Sequence, residues 1–267
     1  MLVPEASAQV SRESFEERGY ALIRGAFESG ELDDLRAEIL ALGKRIVGGG
    51  FSLEDGGGMS ARQQSLVYDR LKYVPALSRL SGSKRIMSLS AAFGLELPAL
   101  MGCCNMRLDR PSDERHLFAW HQDTLYLLGS QNAVTFWIPL DDVNERNGTI
   151  QVARGSHKAG LRRFKRVSDK AIFQYVPFLQ RDLALDEEVD EPVDTIVAQR
   201  GDLVIFKQML LHRSLSNASQ KIRWTAQIRV TDIADPDYAA QHFPTGDRTN
   251  VFYVRYPGYV SPDARYA

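Results

Sequence analysis

Cysteine is nearly absent from this 267-residue chain: there are two, Cys103 and Cys104, and they are adjacent. Adjacent cysteines almost never bridge, so no disulfide framework is expected and a reducing, cytoplasmic compartment fits. The pair reads as small buried hydrophobes in a strand. Long apolar runs are missing too. Nothing approaches the ~20 residues needed to cross a bilayer, and the first stretch, "MLVPEASAQVSRESFEERGYALIRGAF", lacks a basic segment leading into an apolar one. No membrane partner is expected. Charge of one sign is not gathered anywhere: 33 Lys and Arg stand against 34 Asp and Glu, for a net charge of −1, which leaves no electrostatic footprint for nucleic acid. A small-molecule substrate is the partner that remains, and the pattern says nothing of oligomeric state. The glycines of "GGGFSLEDGGGMS" are not followed by Gly-Lys-Ser/Thr, so no phosphate-cradling loop is built there. Internal repeats are absent.

With 44% hydrophobic residues, the chain suffices for one substantial core. We expect a single domain over residues 1–267, with a helix-rich start over about 1–95 and a strand-rich core over about 102–230. The first part reads as a short helix, a strand at Tyr20 to Ile23, a turn with Ser29 as N-cap, and an amphipathic helix with Leu32, Leu35, Ile39 and Leu42 on one face. Further helical patterns follow around 69–80 and 83–93. Helices first and strands after argue for an antiparallel barrel or sandwich backed by helices. The stretch 162–195 breaks the strand alternation and shifts from basic to acidic, which marks an insertion or lid. It and the glycine segment 48–58 are expected to be the most mobile parts of the chain.

The chemistry begins in "FAWHQDTLYL", where an apolar, β-favouring run carries His121 and Asp123 around Gln122. In a strand, residues i and i+2 share a face, so the imidazole and the carboxylate project together while Gln122 points away. Such a pair supplies two of the three ligands of a facial triad, which suits iron(II); the bland alternative is a hydrogen-bonded His–Asp pair at a strand end. A third ligand is then required. His212 closes "GDLVIFKQMLLH", a turn and apolar strand, where a returning strand can deliver one. The strand after it places Arg223, Thr225, Gln227 and Arg229 on one face against Ile222, Trp224, Ala226, Ile228 and Val230 on the other. Arginines on an inward face need anionic partners. "AVTFWIPL" alternates likewise, setting Thr135 and Trp137 together as cavity-lining candidates. His116, His157 and His242 sit in loop-like contexts, with structural or solvent-exposed roles expected.

"FEERGYALIRGAFESGELDDLRAEI", "WHQD", "VTFWIPLDDVNERNGTIQVARGSH", "GDLVIF" and "LHRSLSNASQKIRWTAQIRV" together resemble the phytanoyl-CoA dioxygenase family of iron(II)/2-oxoglutarate-dependent oxygenases. The resemblance implies a mainly β fold with flanking helices, a double-stranded β-helix (jelly-roll) core behind an N-terminal helical layer. It implies His121, Asp123 and His212 as iron ligands, Arg223 and Ser214 on the distal carboxylate of 2-oxoglutarate, and Trp137 and Met106 lining the cosubstrate pocket. Fe(II), 2-oxoglutarate and O2 are the implied cofactors, and hydroxylation of an unactivated C–H with release of succinate and CO2 the implied reaction. Desaturation, epoxidation, cyclisation or epimerisation by the same cofactors stays open, as do, more remotely, a zinc-dependent or a non-catalytic jelly roll. The family's proline before "GSH" is here replaced by Arg154, which puts the shape of that turn in question.

Overall fold

In a computed structural model, the chain is described over residues 11–102, 104–114, 117–125, 127–166, 183–242, 246–247 and 258. Helix α1 (Arg12–Arg18) leads through Gly19, in the left-handed conformation, into strand β1 (Tyr20–Ile23). Ser29 is not the cap expected of it. A single tight turn, Ser29–Leu32, precedes helix α2 (Asp33–Val47), and the exposed N–H groups are met one residue earlier by a reciprocal capping box between Glu28 and Glu31. Leu35 and Ile39 of α2 are buried with Leu32, as the amphipathic pattern requires, and Leu42 is partly buried against them. Two expected helices prove to be three: α3 (Ala61–Leu71), α4 (Pro75–Ser81) and α5 (Lys84–Ala92). Val74, extended ahead of Pro75, ends one helical run, and the proline opens the next at its first position.

The strands form two main open antiparallel sheets, not a closed barrel, beside two strand pairs, one of them β4 (Leu127–Leu128) with β13 (Gly246–Asp247). The larger runs β1, β10 (Leu203–Lys207), β5 (Val134–Pro139) and β12 (Arg223–Asp232), with β2 (Pro98–Leu100) and β3 (Asn105–Asp109) both pairing with the far edge of β12. The smaller runs β11 (His212–Ser214), β6 (Ile150–Ala153) and β9 (Val193–Thr195). The period-2 alternation decides what lies between the layers. Val134, Phe136, Ile138, Leu203, Ile205, Trp224, Ala226, Ile228 and Val230 face the helices in one apolar core. Trp137, Val204 and Phe206, one step out of phase, face Ile150 and Val152 of the smaller sheet in another. The helical start and the β region thus share one core, and burying a tryptophan as completely as Trp224 here makes Trp224 a principal anchor of it.

The glycine segment is docked onto this frame. Phe51 is buried in the core, and its ring lies where a Cβ on Gly43 of α2 would sit 2.0 Å away, so only glycine lets the helix approach. Trp224 Nε1 donates to Leu53 O (2.7 Å) and Ile222 N to Glu54 O (2.6 Å), which ties the segment to the start of β12. The supposed insertion is also partly structured: β7 (Phe164–Arg166) pairs with β8 (Leu183–Leu185), and residues 193–195 belong to the smaller sheet as β9. Its residues 167–182 lie outside the described residues, as do Cys103 and His116. Cys104, a partly buried free thiol, precedes β3 instead of sitting within it. His242 is exposed in a turn. His157 donates from Nε2 to Glu16 O (2.9 Å), joining the turn after β6 to α1. Arg154, where the family pattern has proline, holds that turn through paired hydrogen bonds to Asp194 (2.9 Å each). No described helix is long and apolar enough to cross a membrane.

Candidate metal centre

The His-X-Asp pair does not lie in a regular strand. His121 makes a single antiparallel bridge with His212, each N–H donating to the other's carbonyl at 3.0 Å, and the chain then turns into a short 3-10 segment, Asp123–Leu125. Two candidate ligands are therefore each other's backbone partners. The residue between His121 and Asp123 does point away, as alternation requires: Gln122, fully buried, donates to Gly160 O (2.8 Å) and Met209 O (2.7 Å) and accepts from Arg162 N (2.9 Å). It locks the pair to the chain just ahead of His212.

Nδ1 of His121 donates to Ala119 O (2.8 Å), and Nδ1 of His212 to Leu210 O (2.9 Å). With Nδ1 carrying the proton, each Nε2 presents a lone pair, and these lie 3.8 and 3.7 Å from Asp123 Oδ1. Burial, and for His121 the neighbouring His212, keep both imidazoles neutral; the His121 pKa falls to about 3. Burial alone would raise the Asp123 pKa, but Arg229, followed by the two histidines and the Thr135 hydroxyl, brings it to about 2. Two neutral imidazoles and one carboxylate, with ligand atoms all within 4.8 Å of one another, are the donor set of a facial triad.

The triad opens on a cavity of ≈ 260 Å³. Trp137, Ser214 and Arg223 line it. Arg223, 2% exposed, donates from NH2 to Asp109 Oδ2 (2.7 Å), while its Nε and the Trp137 Nε1 are buried donors with no partner in the protein. Unmet donors of this kind suit a carboxylate arriving with a ligand. Thr135 sits elsewhere: its hydroxyl donates to Asp123 Oδ2 (2.7 Å), the oxygen that Arg229 Nε also approaches at 3.4 Å. That leaves Oδ1 as the atom facing the histidines. Met106 is a correction. It is buried in the apolar core between sheet and helices, because β3 pairs with β12 so that Met106 stands opposite Ala226. Its neighbours Asn105 and Arg107 take the cavity face.

Pattern reading missed Asn105, Arg107 and Asp109, and also Tyr68 and Asp69 of α3 at the cavity wall. Asp109 is the hub of this side: it accepts from Arg107 Nε (3.2 Å) and NH2 (2.5 Å) as well as from Arg223. The alternation in "NMRLD" puts Asn105, Arg107 and Asp109 on one face but does not tell which face the cavity takes.

Replacing Thr135 by Val should weaken divalent-metal binding by roughly 10–100-fold, the usual consequence of freeing a ligand from its support, whereas Thr135→Ser should stay near wild type. Competition titration against a chelator reads this directly. Equal affinity in the Val variant would show that the hydroxyl does not position Asp123.

The family model for phytanoyl-CoA dioxygenase (PhyH) matches residues 15–225. Phytanoyl-CoA dioxygenase 1 of Oryza sativa subsp. japonica is 26% identical over 132 residues, 46% of this chain and 42% of that protein. A 1-deoxypentalenic acid 11-beta-hydroxylase of Streptomyces exfoliatus is 32% identical over 100 residues, 37% of this chain and 34% of that one. The matched stretches span less than half the length of either relative. Among solved structures, AviO1 from Streptomyces viridochromogenes Tue57 superposes with a TM-score of 0.60 at 21% identity, over 92% of this chain and all of that one. The epimerase SnoN in complex with Fe3+, alpha ketoglutarate and nogalamycin RO superposes with 0.56 at 19%, over 83% and 82%. At such identities these structures establish the shared jelly-roll fold.

Proposed function

The chain belongs to the phytanoyl-CoA dioxygenase family, and from that premise we propose that it is an iron(II)- and 2-oxoglutarate-dependent oxygenase that hydroxylates an unactivated C–H of a small metabolite. The observation that carries this reading is the coexistence in one cavity of the N,N,O triad and two unmet buried donors, Arg223 Nε and Trp137 Nε1. Zinc suits the same three ligands, but a zinc hydrolase has no use for a buried guanidinium reserved for a second carboxylate.

His121, Asp123 and His212 would hold the iron, leaving room for the cosubstrate and dioxygen. When bound, iron(II) and 2-oxoglutarate supply the oxidation: dioxygen is consumed, 2-oxoglutarate is split to succinate and carbon dioxide, and one oxygen atom enters the substrate. Arg223, aided by Ser214, holds the distal carboxylate and so fixes the length and direction in which the cosubstrate lies. Trp137 and Phe206 wall that end and exclude water. Thr135 and Arg229 keep Asp123 ionised and presenting Oδ1. We read the chain as one oxygenase domain and, with Cys104 a free thiol, place it in a reducing cytoplasmic compartment.

The test is succinate release from 2-oxoglutarate, dependent on iron(II) and oxygen, across a panel of small metabolites, with mass analysis of the product. Gain of one oxygen atom identifies hydroxylation or epoxidation, loss of two hydrogens desaturation or ring closure, and an unchanged mass epimerisation. No iron-dependent turnover with or without substrate would sink the reading.

A further inference from the structure

Across the cavity wall, β5, β12 and β3 set Trp137, Gln227 and Asn105 side by side, since Gln227 pairs with Trp137 on one edge of its strand and with Asn105 on the other. All three line the cavity. Trp137 belongs to the cosubstrate end, and the function proposed above gives the two amides beyond it no task. We propose that the primary substrate is a neutral, hydroxyl-rich molecule, a sugar or another polyol, and that Asn105 and Gln227 bind two adjacent hydroxyls of it. The inference rests on the reading of the triad and Arg223 as the iron and cosubstrate sites.

Apart from the Arg223 edge kept for the cosubstrate, the charged groups of this wall are engaged with one another. Arg107 and Arg223 both donate to Asp109, and Arg229 approaches Asp123. The amides are what remains. Arg229 NH2 donates to Gln227 Oε1 (3.0 Å), and because an arginine has no acceptor this contact fixes the amide's orientation, with Nε2 as the end left over. Among the described residues, neither that Nε2 nor the Asn105 side chain has a hydrogen-bond partner, and both residues are only partly buried, as groups open to a cavity are. An apolar substrate would strip water from them and return no hydrogen bonds, which costs free energy.

Gln227 offers only N–H donors, whereas the Asn105 amide can turn to donate or to accept. A hydroxyl does both, so two neighbouring hydroxyls satisfy the pair in either orientation of Asn105, while an ether or a carbonyl would serve the donors alone. Directly opposite residues on paired strands hold their Cβ atoms ~4.5–5.5 Å apart, so the two side chains address two atoms of one small molecule. The place also suits the chemistry. Gln227 is one hydrogen bond from Arg229, and Arg229 in turn reaches the ligand Asp123, so a group held by the amides sits beside the metal centre. Ile150, from the facing sheet, lines the same cavity and gives the C–H bonds of such a substrate an apolar surface to lie against.

The test uses the protein reconstituted with manganese(II), a redox-inert stand-in, and saturated with 2-oxoglutarate, so that Arg223 is already occupied. Probes are matched pairs that differ in their hydroxyls: cis-cyclohexane-1,2-diol and cyclohexanol, methyl β-D-xylopyranoside and 2-methoxytetrahydropyran. Paramagnetic broadening of the probe proton resonances reports binding near the metal. The member richer in hydroxyls is expected to bind at least about fivefold more tightly than its partner, although it is the less hydrophobic of the two. Asn105→Leu should narrow the gap in both pairs, and since that side chain has no hydrogen bond within the protein to lose, the variant should fold. The comparison within each pair needs no variant in any case. Partners binding as tightly as the polyols, no polyol binding at tens of millimolar, or a gap unchanged in Asn105→Leu would each overturn the inference. So would tighter binding of cyclohexanecarboxylate or cyclohexylammonium than of the diol, which would make charge the determinant. A loss of 2-oxoglutarate affinity in Asn105→Leu would assign the amide to the cosubstrate and overturn it too. Failure of 2-oxoglutarate itself to bind the manganese protein is a separate result, which removes the underlying reading and this one with it.

Discussion

Asp123→Ala is expected to abolish iron-dependent succinate formation. Asp123 is the carboxylate of the triad, and loss of a residue that merely supports a ligand already costs ~10–100-fold in metal affinity, so loss of the ligand itself should cost more. This variant has a second consequence. Arg229 lies 3.4 Å from Asp123 Oδ2 and is itself buried, so removing the carboxylate takes away its nearby counter-charge and should lower stability by about 3–5 kcal/mol. His212→Ala separates the two effects. Its imidazole is neutral, so its removal strands no charge, and the variant should stay folded while losing iron and activity. The measurements are iron content after anaerobic reconstitution, succinate release, and a denaturant midpoint for each variant. Full activity in Asp123→Ala would falsify the assignment of the triad.

Arg223→Ala should weaken 2-oxoglutarate binding by at least about tenfold, since hydrogen bonds to a charged group contribute ~1.5–3 kcal/mol each and 1.4 kcal/mol is a decade. Arg223→Lys should be little better, because an ammonium is a point charge that cannot reproduce a fork already seated on Asp109. Iron binding should be nearly unchanged. Anaerobic titration of the iron(II) protein, followed by the charge-transfer absorption of the chelate, measures the affinity. 2-Oxopentanoate, which has the chelating end but no distal carboxylate, is the control, and its affinity should be the same in all three proteins. If 2-oxoglutarate binds Arg223→Ala as tightly as wild type, another group reads the distal carboxylate. Arg229 is a poor candidate for that role, since its guanidinium is engaged with Asp123 and Gln227.

What the sequence disclosed about this site depended on strand length. β12 is ten residues long, and its alternation of polar and apolar side chains sets Arg223 on one polar face, which the family resemblance turns inward. β3 has five residues, and in "NMRLD" only the family resemblance points Met106 at the pocket. Only the register with β12, Met106 opposite Ala226 and Arg107 opposite Thr225, settles which parity faces the cavity, and register is a long-range property that no local pattern contains. The same limit hid Asp109, whose importance comes from joining two arginines 116 positions apart in the chain, at 107 and 223. Helix boundaries failed for a local reason instead. Val74-Pro75 is a stop signal that the apolar pattern over 69–80 runs across, and at the start of α2 the preference of serine for caps points to Ser29 where the Glu28/Glu31 pair closes the turn. Helices ahead of strands, and antiparallel layers backed by those helices, were legible because burial demands a partner for every apolar face.

The tautomer of each histidine is set by its own backbone, two residues upstream, at Ala119 and Leu210. A carbonyl oxygen is the same in every amino acid. The orientation of the imidazoles is therefore indifferent to which side chains precede them, and position 119, which is exposed, is free to drift or to be redesigned without cost to the metal site. A carboxylate partner for the same ring nitrogens would have exposed the site to loss by a single nucleotide change; here that support cannot be mutated away except by moving the chain.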